Sequence, residues 1–236
     1  MLFRSARRTV IYLHGGGYIY IPVARYVPVM AEVAKAAKAR CLGLDYRRAP
    51  AHPYPAPVDD TLAAYRWLLD EGVRPQDVAL VGDSAGGGLV LAALLAIRDR
   101  GLPLPGAGAS ISPWTDLEVV GASADAVDDP VCTGSALRFM ARTYLAGADA
   151  KTPYASPLYG DLAGLPPLHV QVGTREALLD DSRRFVARAR AAGVEVDYVE
   201  HHDVAHMWVF YDTAMPEAQA AFTAIGDFLK AKLPAA

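Results

Sequence analysis

The residues with the clearest capacity for chemistry lie at positions 82–86, which read Gly-Asp-Ser-Ala-Gly. An apolar run at 78–81 precedes this Gly-x-Ser-x-Gly pattern, and a stretch rich in leucine and alanine follows it at 87–98. A serine on a sharp turn between a strand and a helix is the setting of a nucleophile elbow. The flanking glycines leave room for the strained backbone that such a turn gives its serine. The pattern therefore predicts that Ser84 is a nucleophile.

Residues 14–17 read His-Gly-Gly-Gly and directly follow a predicted strand at 10–13. Backbone without side chains can approach a substrate oxygen and direct N–H groups at it. Glycine turns are common, so this run alone is weak evidence. Combined with a downstream Gly-x-Ser-x-Gly it is strong evidence, because lipases and esterases of the α/β-hydrolase fold form their oxyanion hole from this pair of motifs. The elbow would add the N–H of Ala85, the residue after the serine.

A serine nucleophile needs a base within hydrogen-bond reach and an acid that orients the base. In this fold the chain order is serine, acid, histidine. Glu176 lies in the loop after a predicted strand at 168–172 and is the predicted acid. Asp180 is the alternative, although Asp180, Asp181 and Ser182 also sit where the N-cap of a helix belongs.

Three histidines follow the last predicted strand and compete for the role of base. His206 lies deepest in the loop and precedes an apolar stretch, so it is the predicted base. His201 and His202 stand at the strand end, where surface residues are also expected. His14 precedes the glycines, which is the wrong side of the chain order, and is interpreted as a hydrogen bonder that organises its loop. Asp83 is interpreted as structural, because an elbow turns neighbouring side chains away from the substrate.

Strands and helices are predicted to alternate along the chain. The apolar runs predict strands at 10–13, 41–44, 78–81, 107–111, 168–172 and 194–199. Helical spacing and terminating residues predict helices at 25–39, 58–69, 87–98, 135–145, 180–192 and 215–232. Four prolines predict that the loop at 45–57 has no regular structure. The alternation predicts an α/β fold, a mostly parallel sheet with helices on both faces, whose ligand site lies beyond the carboxyl ends of the strands.

Residues 1–236 form one predicted domain, since this length suffices for one sizeable core and is short for two. The stretch at 112–167 interrupts the alternation with only one predicted helix. So long a stretch between sheet strands is usually a lid or a cap. A surface excursion without a role is the alternative.

Composition and charge exclude several classes of partner. Apolar residues make up 53% of the chain, and the formal net charge of −3 gives no support for nucleic acid or an anionic membrane as a partner. No apolar run is long enough to span a membrane, and no signal-peptide core precedes His14. Cys41 and Cys132 are too few for a disulfide framework and suit a reducing cytoplasm. HExxH and paired CxxC motifs are absent from the sequence, so no metal site is predicted.

Several segments resemble the bacterial hormone-sensitive-lipase-like serine esterases, known as family IV. They lie at 12–18, 45–56, 82–87, 112–117 and 155–158, together with the surroundings of Glu176 and His206. The resemblance covers nearly the whole chain from Val10 onward. It implies an α/β-hydrolase fold and hydrolysis of short- to medium-chain acyl esters without a cofactor. The residues that it assigns are Ser84, Glu176 and His206 for the triad and the N–H groups of Gly16, Gly17 and Ala85 for the oxyanion hole.

The short start of the chain departs from this family. Its members usually carry a long segment before the glycine motif, whereas only nine residues precede Val10 here. We therefore expect a sheet without its first strands, a cap reduced to 112–167 and an exposed sheet edge. The family resemblance implies a monomer or a homodimer. Two other functions stay open at this point. The same triad serves amide and lactone hydrolases, and a non-catalytic homologue could bind ligands on this fold, although Ser84 and His206 are both present.

Overall fold

A single parallel sheet of six strands forms the centre of the computed structural model, which describes residues 6–234. The strands are β1 (Thr9–Leu13), β2 (Arg40–Leu44), β3 (Val78–Asp83), β4 (Ala107–Ile111), β5 (Leu168–Arg175) and β6 (Val196–Ala205). They lie in the order β2-β1-β3-β4-β5-β6, and every pairing is parallel. Leu13 at the end of β1 is level with Leu44 of β2 and Gly82 of β3, so the carboxyl ends of these strands meet at one edge. The predicted parallel sheet is confirmed.

Helices cover both faces of the sheet, as predicted. They are α1 (Val27–Ala37), α2 (Ala56–Asp70), α3 (Ser84–Asp99), α4 (Ser123–Ala126), α5 (Gly134–Leu145), α6 (Leu179–Ala191), α7 (Trp208–Tyr211) and α8 (Pro216–Lys232), with short 3₁₀ turns at Val23–Tyr26, Pro75–Asp77 and Pro157–Tyr159. α2, α3 and α6 share one hydrophobic core with one face of the sheet, and α1, α7 and α8 share a second core with the other face. Within residues 6–234, no helix combines the length and the apolar character that a membrane crossing requires.

Alternating side chains of the central strands reach both cores. In β1, Ile11 and Leu13 lie in the core beneath α2 and α3, whereas Val10 and Tyr12 lie in the core beneath α1 and α8. The side-chain period of two in a strand produces this division. Every residue of β1 and of β3 is buried, which explains why these strands read as continuous apolar runs in the sequence.

Two helix boundaries differ from the prediction for local reasons. Helix α2 begins at Ala56, inside the loop predicted at 45–57, so the prediction of irregular structure was wrong at its end. The first turn of a helix accommodates Pro57, because the N–H that proline lacks has no partner there. The helix predicted at 25–39 is shorter, since Lys38 adopts a left-handed backbone with φ 51° and ends α1.

Strand β6 is longer than the apolar run at 194–199 predicted. It extends through Ala205, and most of its residues are half-buried or exposed, since β6 lies at one edge of the sheet. Polar residues therefore continue the strand, and an apolar pattern alone could not locate its end. His201 and His202 consequently lie within the strand rather than at its end.

The stretch at 112–167 contains the helices α4 and α5. The predicted helix at 135–145 corresponds to α5, whose first turn is capped by Thr133. The side-chain oxygen of Thr133 accepts from the N–H of Ala136 at 3.2 Å. The buried face of α5 joins the core that contains α2 and α3, so this stretch packs against the body of the protein.

Candidate active site

Ser84 lies on a sharp turn at the carboxyl edge of the sheet. It follows β3 directly, has a left-handed backbone with φ 54° and begins α3. An added Cβ at Gly82 would lie 2.6 Å from the carbonyl oxygen of Leu13, and one at Gly86 would lie 2.5 Å from that of His14. The two glycines therefore let the turn pack against the backbone at the end of β1. This arrangement has the geometry of a nucleophile elbow.

His206 and Glu176 continue a chain of hydrogen bonds from Ser84. Nε2 of His206 lies 2.9 Å from Oγ of Ser84, and Nδ1 of His206 lies 2.8 Å from Oε2 of Glu176. A carboxylate only accepts, so Nδ1 donates to Glu176, and Nε2 is left to accept from the serine hydroxyl. The three side chains are connected in the order that a serine hydrolase requires.

Glu176 is held on both of its carboxylate oxygens. Oε2 faces the histidine, while Oε1 accepts from the hydroxyl of Ser112 and from the backbone N–H of Gly173, each at 2.7 Å. The side chain is fully buried. Asp180, the alternative acid, instead accepts from the N–H of Ser123 at 2.9 Å. The structure brings Glu176, and not Asp180, to the histidine.

The charges around His206 favour its protonated form. Burial alone lowers the pKa of the imidazole, but the hydrogen bond and the charge of Glu176 oppose this effect, together with the carboxylates of Asp129 and Asp83. The net result is a pKa above the ordinary value of 6.5. An imidazole with a raised pKa holds a proton transferred from a serine hydroxyl more readily.

Gly16 and Gly17 form a turn beside the serine. Their backbones are left-handed, with φ 104° and 63°, which glycine adopts without strain. The carbonyl oxygen of Gly16 accepts from the N–H of Tyr20 at 2.8 Å and closes the turn. In the part of the chain that the structure describes, the N–H groups of both glycines have no backbone acceptor. Ala85 lies in the first turn of α3, where a helix supplies no acceptor for its N–H either. Backbone N–H groups without a partner are the kind of donor from which an oxyanion hole is built.

Asp83 connects the elbow at Ser84 to the glycine turn at 15–17 through hydrogen bonds. Its buried carboxylate accepts from the N–H of Gly15 at 3.1 Å, from the hydroxyl of Tyr12 at 2.9 Å and from that of Tyr26 at 3.0 Å. Burial raises the pKa of Asp83 to about 6, while the hydrogen bonds from the two tyrosines act in the opposite direction. The side chain next to Ser84 therefore holds the turn, and the sequence alone did not indicate these partners.

The other candidate histidines have partners of their own. Nδ1 of His14 lies 2.7 Å from the carbonyl oxygen of Gly15, within the turn that this histidine was expected to organise. Nε2 of His201 lies 2.8 Å from Oε1 of Gln171, and His202 is exposed. Among residues 6–234, no three His, Cys, Asp or Glu side chains are grouped so that they could hold a metal ion.

An apolar cavity of about 250 Å³ opens beside Ser84 and His206. The stretch at 112–167 contributes four lining residues, which are Val131, Cys132, Ala136 and Met140. Burial raises the pKa of the Cys132 thiol to about 12, so this wall is uncharged at neutral pH. Sequence reasoning missed these four residues, because only the length of the stretch indicated a role. The cavity suits an uncharged, apolar group.

Known proteins with similar sequences decide the family. A profile of the α/β-hydrolase fold family matches residues 10–210. The chain belongs to this family. An acetyl-hydrolase of Streptomyces hygroscopicus is 45% identical to this α/β hydrolase over 229 residues, which cover 96% of the chain and 77% of the relative. An esterase of Acinetobacter venetianus is 32% identical over 227 residues, which cover 95% of the chain and 75% of the relative.

Solved structures agree with this assignment. A crystal structure of an esterase from the bacterial hormone-sensitive lipase family matches this α/β hydrolase with a TM-score of 0.95 at 48% identity, covering 99% of the chain and 79% of that protein. A hormone-sensitive lipase from a metagenome library matches with a TM-score of 0.93 at 37% identity, covering 96% and 79%. The predicted membership in the bacterial hormone-sensitive-lipase-like esterases is confirmed.

Proposed function

We propose that this α/β hydrolase is a serine carboxylesterase that cleaves short- to medium-chain acyl esters through an acyl-enzyme. The observation that carries the proposal is the hydrogen-bond chain from Ser84 through His206 to Glu176, beside an apolar cavity. Similarity to proteins named as esterases and as an acetyl-hydrolase supports the same class of reaction.

Acylation begins when Oγ of Ser84 attacks the carbonyl carbon of the ester while its proton passes to Nε2 of His206. Glu176 stabilises the imidazolium through the hydrogen bond to Nδ1. The proton then moves from Nε2 to the alkoxy oxygen, the bond between that oxygen and the acyl carbon breaks, and the alcohol leaves. The acyl group remains as an ester of Ser84.

The proposed donors to the developing oxyanion are the N–H groups of Gly16, Gly17 and Ala85. Loss of one such donor costs about 10²–10³ in turnover in comparable hydrolases. Deacylation repeats the sequence with water in place of serine. His206 takes a proton from the water, which attacks the acyl carbon, and then returns the proton to Ser84 as the carboxylic acid leaves.

The apolar cavity is the proposed acyl site, and the stretch at 112–167 is its proposed cap. At about 250 Å³, the cavity is smaller than most pockets that enclose drug-sized ligands. Met140 of α5 lies against Gly17, since an added Cβ at Gly17 would meet its side chain. The proposed cap and the glycine turn therefore touch, and the small cavity beside them is the reason why we expect short and medium acyl chains to be preferred over long ones.

Hydrolysis of p-nitrophenyl esters from acetate to laurate tests the proposal. We expect turnover of the short chains, a decline toward laurate and a loss in kcat of at least about 10⁴-fold for Ser84→Ala. Ser135→Ala is the matched control, because Ser135 is exposed on α5 and bonds to the hydroxyl of Thr133. Full activity of Ser84→Ala, or no turnover by the folded wild-type protein, would contradict the proposal.

A further inference from the structure

Asp129 is a buried carboxylate of the stretch at 112–167 that the proposed mechanism does not use. It lies between α4 and α5 with 3% of its surface exposed, whereas its neighbour Asp128 is exposed. Burying a carboxylate is costly unless other groups bind it. The groups that bind Asp129 therefore indicate what its burial achieves.

Three backbone N–H groups from two separate segments bind Asp129. Its Oδ1 accepts from Val131 at 2.9 Å and from Cys132 at 3.1 Å. Its Oδ2 accepts from Ala177 at 3.0 Å, across a separation of 48 positions in the chain. One carboxylate thus bridges a segment of the proposed cap and the loop after β5.

Each of the two bridged segments carries part of the proposed site. Val131 and Cys132 line the apolar cavity. Ala177 directly follows Glu176, whose carboxylate faces the imidazole at 2.8 Å. Because both segments lack regular structure, their backbones depend on hydrogen bonds of this kind for a fixed position.

We propose that Asp129 is a positioning residue, whose carboxylate holds the wall of the acyl cavity and the loop of Glu176 in one fixed arrangement. This inference rests on the proposed function, because it treats the cavity as the acyl site. Asp129 acts through the wall and through Glu176 rather than on the ester itself. Outer partners that orient a reacting group commonly change its performance by about 10- to 100-fold when they are replaced, as metal sites show.

Asp129 also contributes charge near the imidazole. Burial lowers the pKa of His206, and three carboxylates raise it, which are Glu176 after β5, Asp83 at the end of β3 and Asp129 in the proposed cap. The thiol of Cys132 faces the same cavity and stays neutral, because burial raises its pKa to about 12. Removal of the charge of Asp129 should therefore lower the pKa of His206, which a loss of packing alone would not do.

Asp129→Asn is the variant that tests this role, since it keeps the shape of the side chain and removes the charge. An amide has one oxygen and one NH₂ group, so one of the two bridged segments would face a donor in place of an acceptor. Asp128→Asn is the matched control, with the same change of charge at the exposed neighbouring position. The measurements are an NMR titration of His206 and the pH dependence of kcat and KM for p-nitrophenyl acetate and hexanoate.

For Asp129→Asn we expect three changes. The pKa of His206 and the acid limb of the profile of kcat/KM should both move to lower pH, because activity requires the neutral imidazole. The value of kcat should fall by about 10- to 100-fold. KM should rise more for the hexanoate than for the acetate, because the displaced wall contacts the longer acyl chain. Asp128→Asn should match the wild-type protein in all three.

An unchanged pKa of His206 together with an unchanged ratio of the two KM values would overturn the inference, even if kcat were lower. A lower kcat alone would not support the inference, because a smaller fraction of folded protein also lowers the apparent kcat. If Asp129→Asn does not fold, Asp129→Glu decides: it keeps the charge but is longer, so the pKa should stay and the ratio of KM values should change. An unchanged ratio in that variant overturns the positioning role. The NMR titration needs no turnover, so a failure of the inference is distinguishable from a failure of the proposed function.

Discussion

Ser84 and His206 are held in place by different means. On the serine side of the site, Gly82 and Gly86 bring the elbow so close to the carbonyl oxygens at the end of β1 that no side chain could fit between them. On the histidine side, the position of the imidazole depends on a hydrogen bond to the buried carboxylate of Glu176, which also accepts from a serine hydroxyl and a backbone N–H. Backbone packing therefore fixes the position of Ser84, and side-chain hydrogen bonds fix the position of His206.

This difference predicts two kinds of sensitivity to substitution. Added atoms should damage the serine side, because packed backbone cannot move away without a wider rearrangement. Loss of a hydrogen-bond partner should damage the histidine side, because a buried polar group left without its partner lowers the free energy of unfolding by about 1–3 kcal/mol. Substitutions that change only one of these properties can separate the two sides.

Among the substitutions that separate the two sides, the largest loss of activity is expected for Glu176→Gln, on the histidine side. The amide keeps the size of the side chain but can present an N–H to Nδ1 of His206, which disfavours the tautomer that accepts from Ser84. We expect kcat to fall by about 10⁴-fold with little change in thermal stability. Asp180→Asn is the control in the same assay, and a comparable loss there would transfer the role of the acid to Asp180.

Gly86→Ala should have the largest effect on the serine side. The added Cβ would lie 2.5 Å from the carbonyl oxygen of His14, a backbone atom that cannot turn aside as a flexible side chain could. We expect a decrease of about 3 kcal/mol or more in the free energy of unfolding, measured by chemical denaturation. Gly193→Ala, which meets open space at φ 80°, should cost only the strain of a left-handed backbone, about 1–2 kcal/mol. Equal decreases would show that packing does not set the serine side.

A smaller loss of activity should follow Ser112→Ala. The variant lacks the hydroxyl that donates to Oε1 of Glu176 at 2.7 Å. A hydrogen bond to a charged group contributes about 1.5–3 kcal/mol, so we expect kcat to fall by about 10- to 100-fold. Ser110→Ala is a control of similar burial, since its hydroxyl donates to the carbonyl oxygen of Gly87 at 3.0 Å. Steady-state kinetics give kcat for both variants. An equal decrease in the two would show that Ser112 supports Glu176 no more than any other buried serine does.

The smallest expected effect concerns Asp181, a buried carboxylate that binds the N–H groups of Thr115 at 2.7 Å and Asp116 at 2.9 Å. Burial, followed by the charge of Asp116, raises its pKa from 3.8 to about 7. A folded-state pKa above the unfolded value means that the contribution of Asp181 to stability is complete below the ordinary pKa and is lost as pH rises through about 7.

Asp181→Asn stays neutral and should escape this loss. The Tm of Asp181→Asn minus the Tm of the wild-type protein should therefore be larger at about pH 8 than at about pH 5. The expected change is about 2–4 °C for each kcal/mol of stability that the wild-type protein loses. Thermal unfolding at the two pH values measures the change, and Asp180→Asn serves as the neighbouring control. A difference in Tm between variant and wild type that is constant over this range would contradict the raised pKa of Asp181.

The serine side could be predicted from the sequence, and the histidine side only in part. Two continuous motifs form the serine side, at 14–17 and 82–86. Their geometry requires glycines, which have no side chain, so the residue types themselves indicate that geometry. Chain order and the position in the loop favoured Glu176 but left Asp180 open, and the structure brings Glu176 to the histidine. Ser112, which holds that carboxylate, is 64 positions away in an irregular segment, where no periodicity indicates which side chains will meet.

The strands and helices, like the site, could be predicted from the sequence only in part. Strands such as β1 and β3, buried on both faces, were predicted from continuous apolar runs. The end of β6 was not, because an edge strand can continue through polar residues such as His201 and His202. The start of α2 was missed because a proline suits the first turn of a helix as well as it suits a loop.

Covalent labelling tests most directly the central claim that Ser84 is a nucleophile activated by His206. The folded protein is treated with a fluorophosphonate, and the modified residue is identified by mass spectrometry of its peptides. We expect one adduct on Ser84 that is absent from Ser84→Ala and forms far more slowly in His206→Ala. A folded wild-type protein that stays unmodified, or an adduct that persists in Ser84→Ala, would contradict the claim.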